Sequence, residues 1–92
     1  MYKSWPQEGV VHNNIDLELD LTGLESPVPM LKTKEALDAL APGQVMLVKT
    51  TAPASEQNIR NLIGNHPAKL VSFKKEDGIL LFVIEKTATP QT

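Results

Sequence analysis

Position 26 is where this chain comes closest to presenting a reactive group. The stretch Leu21-Thr22-Gly23-Leu24-Glu25-Ser26-Pro27-Val28-Pro29-Met30 leaves a strand-like run, turns at Gly23 and reaches Ser26-Pro27. Serine is among the best helix N-caps, and proline is favoured at the first helical position, where its missing N–H costs nothing. The pair predicts a helix that opens on Ser26 as cap and Pro27 as first residue. A helix start directs unpaired amides and the positive end of the dipole at its cap, which suits holding an anion or making a thiol acidic. Here the cap carries a hydroxyl, which is too weakly acidic for that environment to ionise. As a nucleophile Ser26 needs a base within hydrogen-bond reach and a group to orient that base. The only histidines, His12 and His66, belong to no motif that ties them to it. On the residues alone, capping outranks catalysis.

Other chemistry is thinner. Asp16, Glu18 and Asp20 form a row of carboxylates, but alternate residues of a strand lie about 7 Å apart, too far for one ion without further ligands. The row is read as a solvated strand face. The chain has no cysteine, which removes disulfides, zinc–thiolate sites and thiol nucleophiles. Two isolated histidines do not make a metal site, so neither metal nor cofactor is expected. A net charge of −2 offers no general basic footprint for nucleic acid, and Lys32-Lys34 and Lys74-Lys75 read as solvated clusters. No apolar run is long enough to cross a membrane and the N-terminus lacks a signal-peptide core, so a cytoplasmic protein is expected.

The elements that must position Ser26 follow from periodicity. Ninety-two residues, 41% of them hydrophobic, suffice for one domain with a single core. Residues 1–14 show no sustained pattern and are read as an extension. They hold the only tryptophan, Trp5, and the only tyrosine, Tyr2, as a lid over an exposed sheet face, a partner-binding arm or a loosely packed terminus. Ile15 to Leu21 alternates apolar and acidic residues, a strand with one covered and one wet face. Ser26 to about Leu40 reads as a helix with Met30, Leu37 and Leu40 inward and Leu31, Thr33 and Ala36 beside them, stopped by Ala41-Pro42-Gly43. Gln44 to Thr50 is a strand, and Ser55 to Ile63 a second helix with Ile59, Leu62 and Ile63 inward. Lys69–Lys75 and Ile79–Lys86 are strands joined at Asp77-Gly78, a strong hairpin signal. Ile79 to Ile84 is apolar on both faces and belongs inside the sheet. Thr87–Thr92 is a short tail.

The order β-α-β-α-β-β predicts an α+β fold: a two-layer α/β sandwich with a four-stranded mixed sheet and both helices on one face. The domain is expected to span residues 15–86.

Gly23-Leu24-x-Ser26-Pro27-x-Pro29 resembles the Gly-Leu-x-Cys-Pro-x-Pro signature of the TusA/SirA-like sulfur-carrier family, over roughly Ile15 to Lys86. The family's cysteine carries sulfur as a persulfide between proteins, and serine stands in its place here. The resemblance implies the same fold, a sulfur relay serving transfer-RNA thiolation, cofactor synthesis or sulfur oxidation, and protein partners. Those partners are a cysteine desulfurase or other sulfurtransferase as donor and a downstream acceptor protein. It places the site at Ser26 with Gly23, Leu24, Glu25, Pro27 and Pro29. A second departure falls after the second strand, where the family's Asp-Asp-Pro-Ala is matched by Thr51-Ala52-Pro53-Ala54 and a later acid by Asn58. An engineered replacement would leave that loop unchanged, so natural divergence is favoured. As written, position 26 cannot take persulfide sulfur. The alternative is a cysteine-less binding or regulatory module of the same fold. RNA binding, by analogy with the C-terminal domain of translation initiation factor three, ranks below both, and hydrolase or metalloenzyme activity lower still.

Overall fold

The computed structural model describes residues 15–88. In chain order they form β1 (Leu17–Leu21), α1 (Val28–Ala39), β2 (Val45–Thr50), α2 (Ser55–Gly64), β3 (Ala68–Glu76) and β4 (Ile79–Lys86). The sheet order is β1-β2-β4-β3; β1 runs parallel to β2, and β4 is antiparallel to both its neighbours. This is the expected four-stranded mixed sheet, with the doubly apolar β4 inside it.

The alternation seen in sequence becomes a register. Leu17, Leu19 and Leu21 stand beside Met46, Val48 and Thr50, which stand beside Ile84, Phe82 and Leu80. These rows share one face, and the buried core joins them to Leu37 and Leu40 at α1 and to Ile59 and Ile63 of α2. Both helices therefore cover one side, giving two layers. On β3 a bulge between Leu70 and Ser72 shifts the register and leaves Val71 exposed. Beyond it Phe73 returns to the helix side, its ring 5.0 Å from that of Phe82 and under the Arg60 guanidinium of α2 at 4.8 Å. The β3–β4 turn is the predicted hairpin, with Asp77 and Gly78 at φ 51° and 80°.

Two expectations for α1 are corrected. The helix opens later, because the first carbonyl of its ladder is that of Pro27, which accepts from the Leu31 amide at 3.1 Å. Pro27 is thus the N-cap, Ser26 precedes it and makes no capping bond, and Pro29 fills an early helical position. The inner stripe also differs: it is Pro29, Thr33 and Leu37, continued by Leu40, whereas Leu31 is 52% exposed. At about 100° per residue, Leu31 lies opposite a stripe of spacing four that begins at Pro29. Thr33 tolerates burial because its hydroxyl donates to the Pro29 carbonyl at 2.7 Å. In α2 the expected Ile59, Leu62 and Ile63 are buried.

The far end of the helix layer is closed by side chains. Lys86, at the end of β4, donates to the carbonyls of Leu37 and Leu40 at 2.9 and 3.0 Å. Leu37 lies in the last turn of α1 and Leu40 is its C-cap; the Leu37 carbonyl also accepts from the Leu40 amide at 3.2 Å, and a cation there meets the negative end of the dipole. Asn65 donates to the Asn61 carbonyl at 2.9 Å, and His66 Nδ1 lies 2.8 Å from the Leu62 carbonyl. Tyr2, Trp5 and His12 lie outside the described residues, as do 89–92.

Candidate functional site

Because β1 and β2 are parallel and each is followed by a helix, both helix starts lie at the same edge of the sandwich. The β1–α1 and β2–α2 loops meet there. Gly23, at φ 85°, turns the first loop, a conformation that a residue with a Cβ adopts only under strain. Its amide donates to Thr51 Oγ1 in the second loop at 2.8 Å. Beside this tie, Asn58 of α2 donates from Nδ2 to Ser26 Oγ at 3.0 Å. Residues 28 and 32 positions apart are thereby joined side by side.

The remaining members of the motif divide the work. Leu24 and Glu25 are exposed; the Glu25 carbonyl accepts from the Val28 amide at 2.9 Å and so shapes the turn that enters α1. Pro27 caps α1 from the backbone, and Pro29 is buried beneath it. In the second loop the Ala52 and Pro53 carbonyls accept from the Ser55 and Glu56 amides, which turns the chain into α2. Thr50 Oγ1 accepts from the Ala52 amide at 3.2 Å. All the residues marked by the motif and its loop converge on one edge.

The site is open, and Ser26, Thr51 and Asn58 carry no charge, while the exposed Glu25 carboxylate adjoins Ser26 in the chain. Val28's amide is committed to Glu25 and Pro29 has none, so the α1 start offers an incoming anion fewer donors than a helix opening ordinarily does. No histidine serves Ser26 among the described residues. His66 lies eight residues beyond Asn58 at the opposite end of α2, about 12 Å away along a helix rising 1.5 Å per residue. A hydroxyl held by an amide, with no base behind it, binds and positions; it does not attack.

Around Ser26 the surface is apolar. Leu24, Val28 and Leu31 are 40%, 38% and 52% exposed. Val28 and Leu31 are neighbours on the outer face of α1, and Leu24 sits in the loop that delivers Ser26. Sequence reasoning left Val28 unassigned and placed Leu31 inward. Leu31 lies two residues from Pro29, and that offset, once Pro29 is known to be buried, is the signal that turns it outward.

The carboxylates of the first strand do not converge. Asp16 Oδ2 accepts from the Val45 amide at 2.9 Å, and Glu18 pairs with Lys49 at 2.9 Å. Asp20 Oδ1 accepts from the Thr22 hydroxyl at 2.7 Å and its amide at 3.2 Å. The Thr22 hydroxyl, then its amide, hold the Asp20 carboxyl below its ordinary value, and the Glu18 carboxylate holds Lys49 above its own. The lysine clusters face acids as well: Lys32 lies near Glu35, Lys34 on Asp38 and Lys74 near Glu76. Among the described residues no helix is long and apolar enough to cross a membrane.

Comparison with known proteins bears on this edge. The model of the family described as sulfurtransferase TusA matches residues 17–86. A sulfur carrier protein TusA of Allochromatium vinosum is 35% identical over 74 residues, covering 80% of this chain and 97% of the relative. Another, from Pseudomonas aeruginosa, is 32% identical over 76 residues, covering 83% of this chain and 96% of its own length. Among solved structures, a SirA-like protein from Desulfitobacterium hafniense superposes with a TM-score of 0.69 at 23% identity, covering 78% of this chain and 99% of that one. At that identity the likeness speaks for the fold.

Proposed function

The chain belongs to the TusA sulfurtransferase family, and from that premise we propose that it serves a cytoplasmic sulfur relay as a docking component. In this reading Ser26 stands at the family's acceptor position. The observation that carries the reading is the family match over 17–86 in a chain that has no cysteine at all. A relay needs a thiolate to attack the donor's persulfide: a new sulfur–sulfur bond forms, the donor's breaks, and the donor thiol leaves with the electron pair. No atom of this chain can play that part. What it keeps is the exposed turn Gly23–Pro29 and the apolar patch Leu24, Val28 and Leu31 around it, surface suited to a protein partner. The partners of this reading are a cysteine desulfurase or another sulfurtransferase on the donor side and a downstream acceptor protein. RNA binding gains no support, since Lys32, Lys34 and Lys74 each face a carboxylate.

The test is the Ser26→Cys variant beside the unaltered chain, each incubated with a cysteine desulfurase and free cysteine. The variant is expected to gain the mass of sulfur, reversibly by reductant. The unaltered chain is expected to co-purify with the desulfurase and gain nothing. A variant that takes no sulfur overturns Ser26 as the acceptor position. An unaltered chain that binds neither desulfurase nor other relay proteins overturns the docking role.

A further inference from the structure

The sheet face away from the helices has no layer over it among the described residues, and the register fixes what it presents. Glu18, Leu47, Val83 and Ser72 stand side by side across β1, β2, β4 and β3. Asp20, Lys49, Leu81 and Lys74 form the next row. At one end Val45 stands beside Glu85 and Glu85 beside Lys69, and at the other Ile79 stands beside Glu76. The two middle strands therefore carry the apolar surface, with Lys49 and Glu85 set into it. An open cleft of about 350 Å³ lies over Leu47, Ile79 and Leu81, rimmed by Lys49, Glu76 and Asp77. The two edges differ in sign. On this face β1 brings only carboxylates, Glu18 and Asp20, whereas β3 brings Lys69, Lys74 and, at its far end, Glu76.

We propose that this face pairs with the same face of a second copy of the chain, about a two-fold axis that runs along the strands. That rotation lays β1 over the second copy's β3 and β2 over its β4. Asp20 then faces Lys74 and Leu47 faces Val83, and the symmetry makes each contact twice. Lys49, opposite Leu81, keeps its ammonium on Glu18 at 2.9 Å and covers the leucine with its stem. An axis across the strands would instead lay β1 on β1, setting Glu18 and Asp20 against their own copies, and like charges oppose it.

The present partner of Lys74 does not hold it back. Its ammonium lies 3.6 Å from Glu76 with both side chains more than half exposed, a kind of pair that contributes little. Aligned sheets cross at about 30°, which displaces the edges by a distance that a lysine side chain spans. The size of the face sets the strength. Four strands and four rows cover roughly 20 by 20 Å, about half of the ~800 Å² that each partner buries in a standard interface. The dimer is therefore expected to form and part with concentration. The inference is independent of Ser26, which lies among the loops at the helix starts.

Sedimentation equilibrium of the full chain, from micromolar to millimolar protein, reads the assembly. The proposal expects a reversible monomer–dimer equilibrium. Lys74→Glu and, separately, Asp20→Lys each set like charges against one another at both edges, and each is expected to weaken association roughly tenfold. Far-UV circular dichroism of both variants should match that of the unaltered chain. Mixed in equal amounts, the two variants are expected to regain association, because both edges of the mixed dimer then carry opposite charges. A chain that stays monomeric to millimolar concentration overturns the proposal. So does a dimer that both variants leave intact, which would assign the contact to Leu24, Val28 and Leu31. A mixture no more associated than its components overturns the two-fold along the strands.

Discussion

At one end of the helix layer Lys86 reaches across to the last carbonyls of α1, and Asn65 and His66 turn back on those of α2. At the other end Ser26, Thr51 and Asn58 tie the two loops through exposed bonds, and three apolar side chains are left uncovered. Both ends face the same problem, since each helix terminus leaves backbone groups that its own ladder cannot satisfy. The closed end solves it with side chains directed at the backbone, the lysine half-buried. At the open end Thr51 meets a loop amide and Ser26 meets Asn58, no side chain caps either helix start, and prolines stand where α1 amides would be. The closed end is where fold stability is held, and the open end is where a partner can be met without unfolding anything. A bond that is exposed contributes little, because water replaces either partner at small cost.

The largest effect is therefore expected from the closed end. Lys86→Met keeps the aliphatic stem but removes both bonds to the Leu37 and Leu40 carbonyls. The Leu37 carbonyl keeps the Leu40 amide, but leaving the Leu40 carbonyl without its donor is expected to cost about 1–3 kcal/mol. Urea unfolding measures it, and capture of a cysteine desulfurase by the same variant should be unchanged. A loss of stability below about 0.5 kcal/mol would mean that water serves those carbonyls as well as the ammonium does, and the contrast between the ends would fail.

Thr51→Val at the open end is expected to cost less, about 0.5–1 kcal/mol, since the Gly23 amide can turn to water. Its signature is local. Hydrogen exchange at the Gly23 amide should quicken several-fold while exchange in β2 and β4 is unchanged, and partner capture should weaken because the Ser26 turn is no longer held. Uniformly faster exchange would show that the tie supports the whole fold and not the site alone.

The difference between the ends also governs what could be read from the sequence. The sheet was legible because β1 alternates cleanly, β4 is apolar on both faces and Asp77-Gly78 supplies the positive φ angles that a two-residue turn requires. The site's position was legible through its Gly23-Leu24-x-Ser26-Pro27-x-Pro29 pattern and the Thr51-Ala52-Pro53 loop. The bonds within it were not, because Gly23–Thr51 and Ser26–Asn58 join residues that only the parallel β1–β2 pairing brings together. The α1 stripe was misread for a different reason. Its buried positions begin at a proline, which a search for apolar periodicity passes over, and Leu31, which was counted in the stripe beside Thr33, is the residue that faces out. Ser26-Pro27 has the composition of a cap, but the first helical carbonyl belongs to Pro27, which no residue-type preference distinguishes. Lys86 closes α1 from 46 and 49 positions away, beyond any local pattern.

The smallest expected effect lies in Asp20, where the strand hands over to the site loop. The Thr22 hydroxyl, then its amide, favour the charged carboxylate, with Lys49 adding attraction, so the folded pKa lies below the ordinary value. A depressed carboxylate contributes stability that is present above its unfolded pKa, near about 3.9, and is lost as pH falls through the lower folded one. Thr22→Val removes the hydroxyl donor and keeps the amide, so the Asp20 titration followed by carboxyl NMR should move back up. The stability difference between variant and unaltered chain should be small at neutral pH and close as the pH drops below the folded value, because the protonated carboxyl no longer rewards the donor. Asp38, held below its ordinary value by Lys34 on the outer face of α1, should titrate identically in both and serve as the control. An unmoved Asp20 would mean that the amide and Lys49 hold the carboxylate by themselves. The Thr22 side chain would then be free of any part in fixing how β1 enters the Ser26 turn, leaving the Gly23–Thr51 tie to set it.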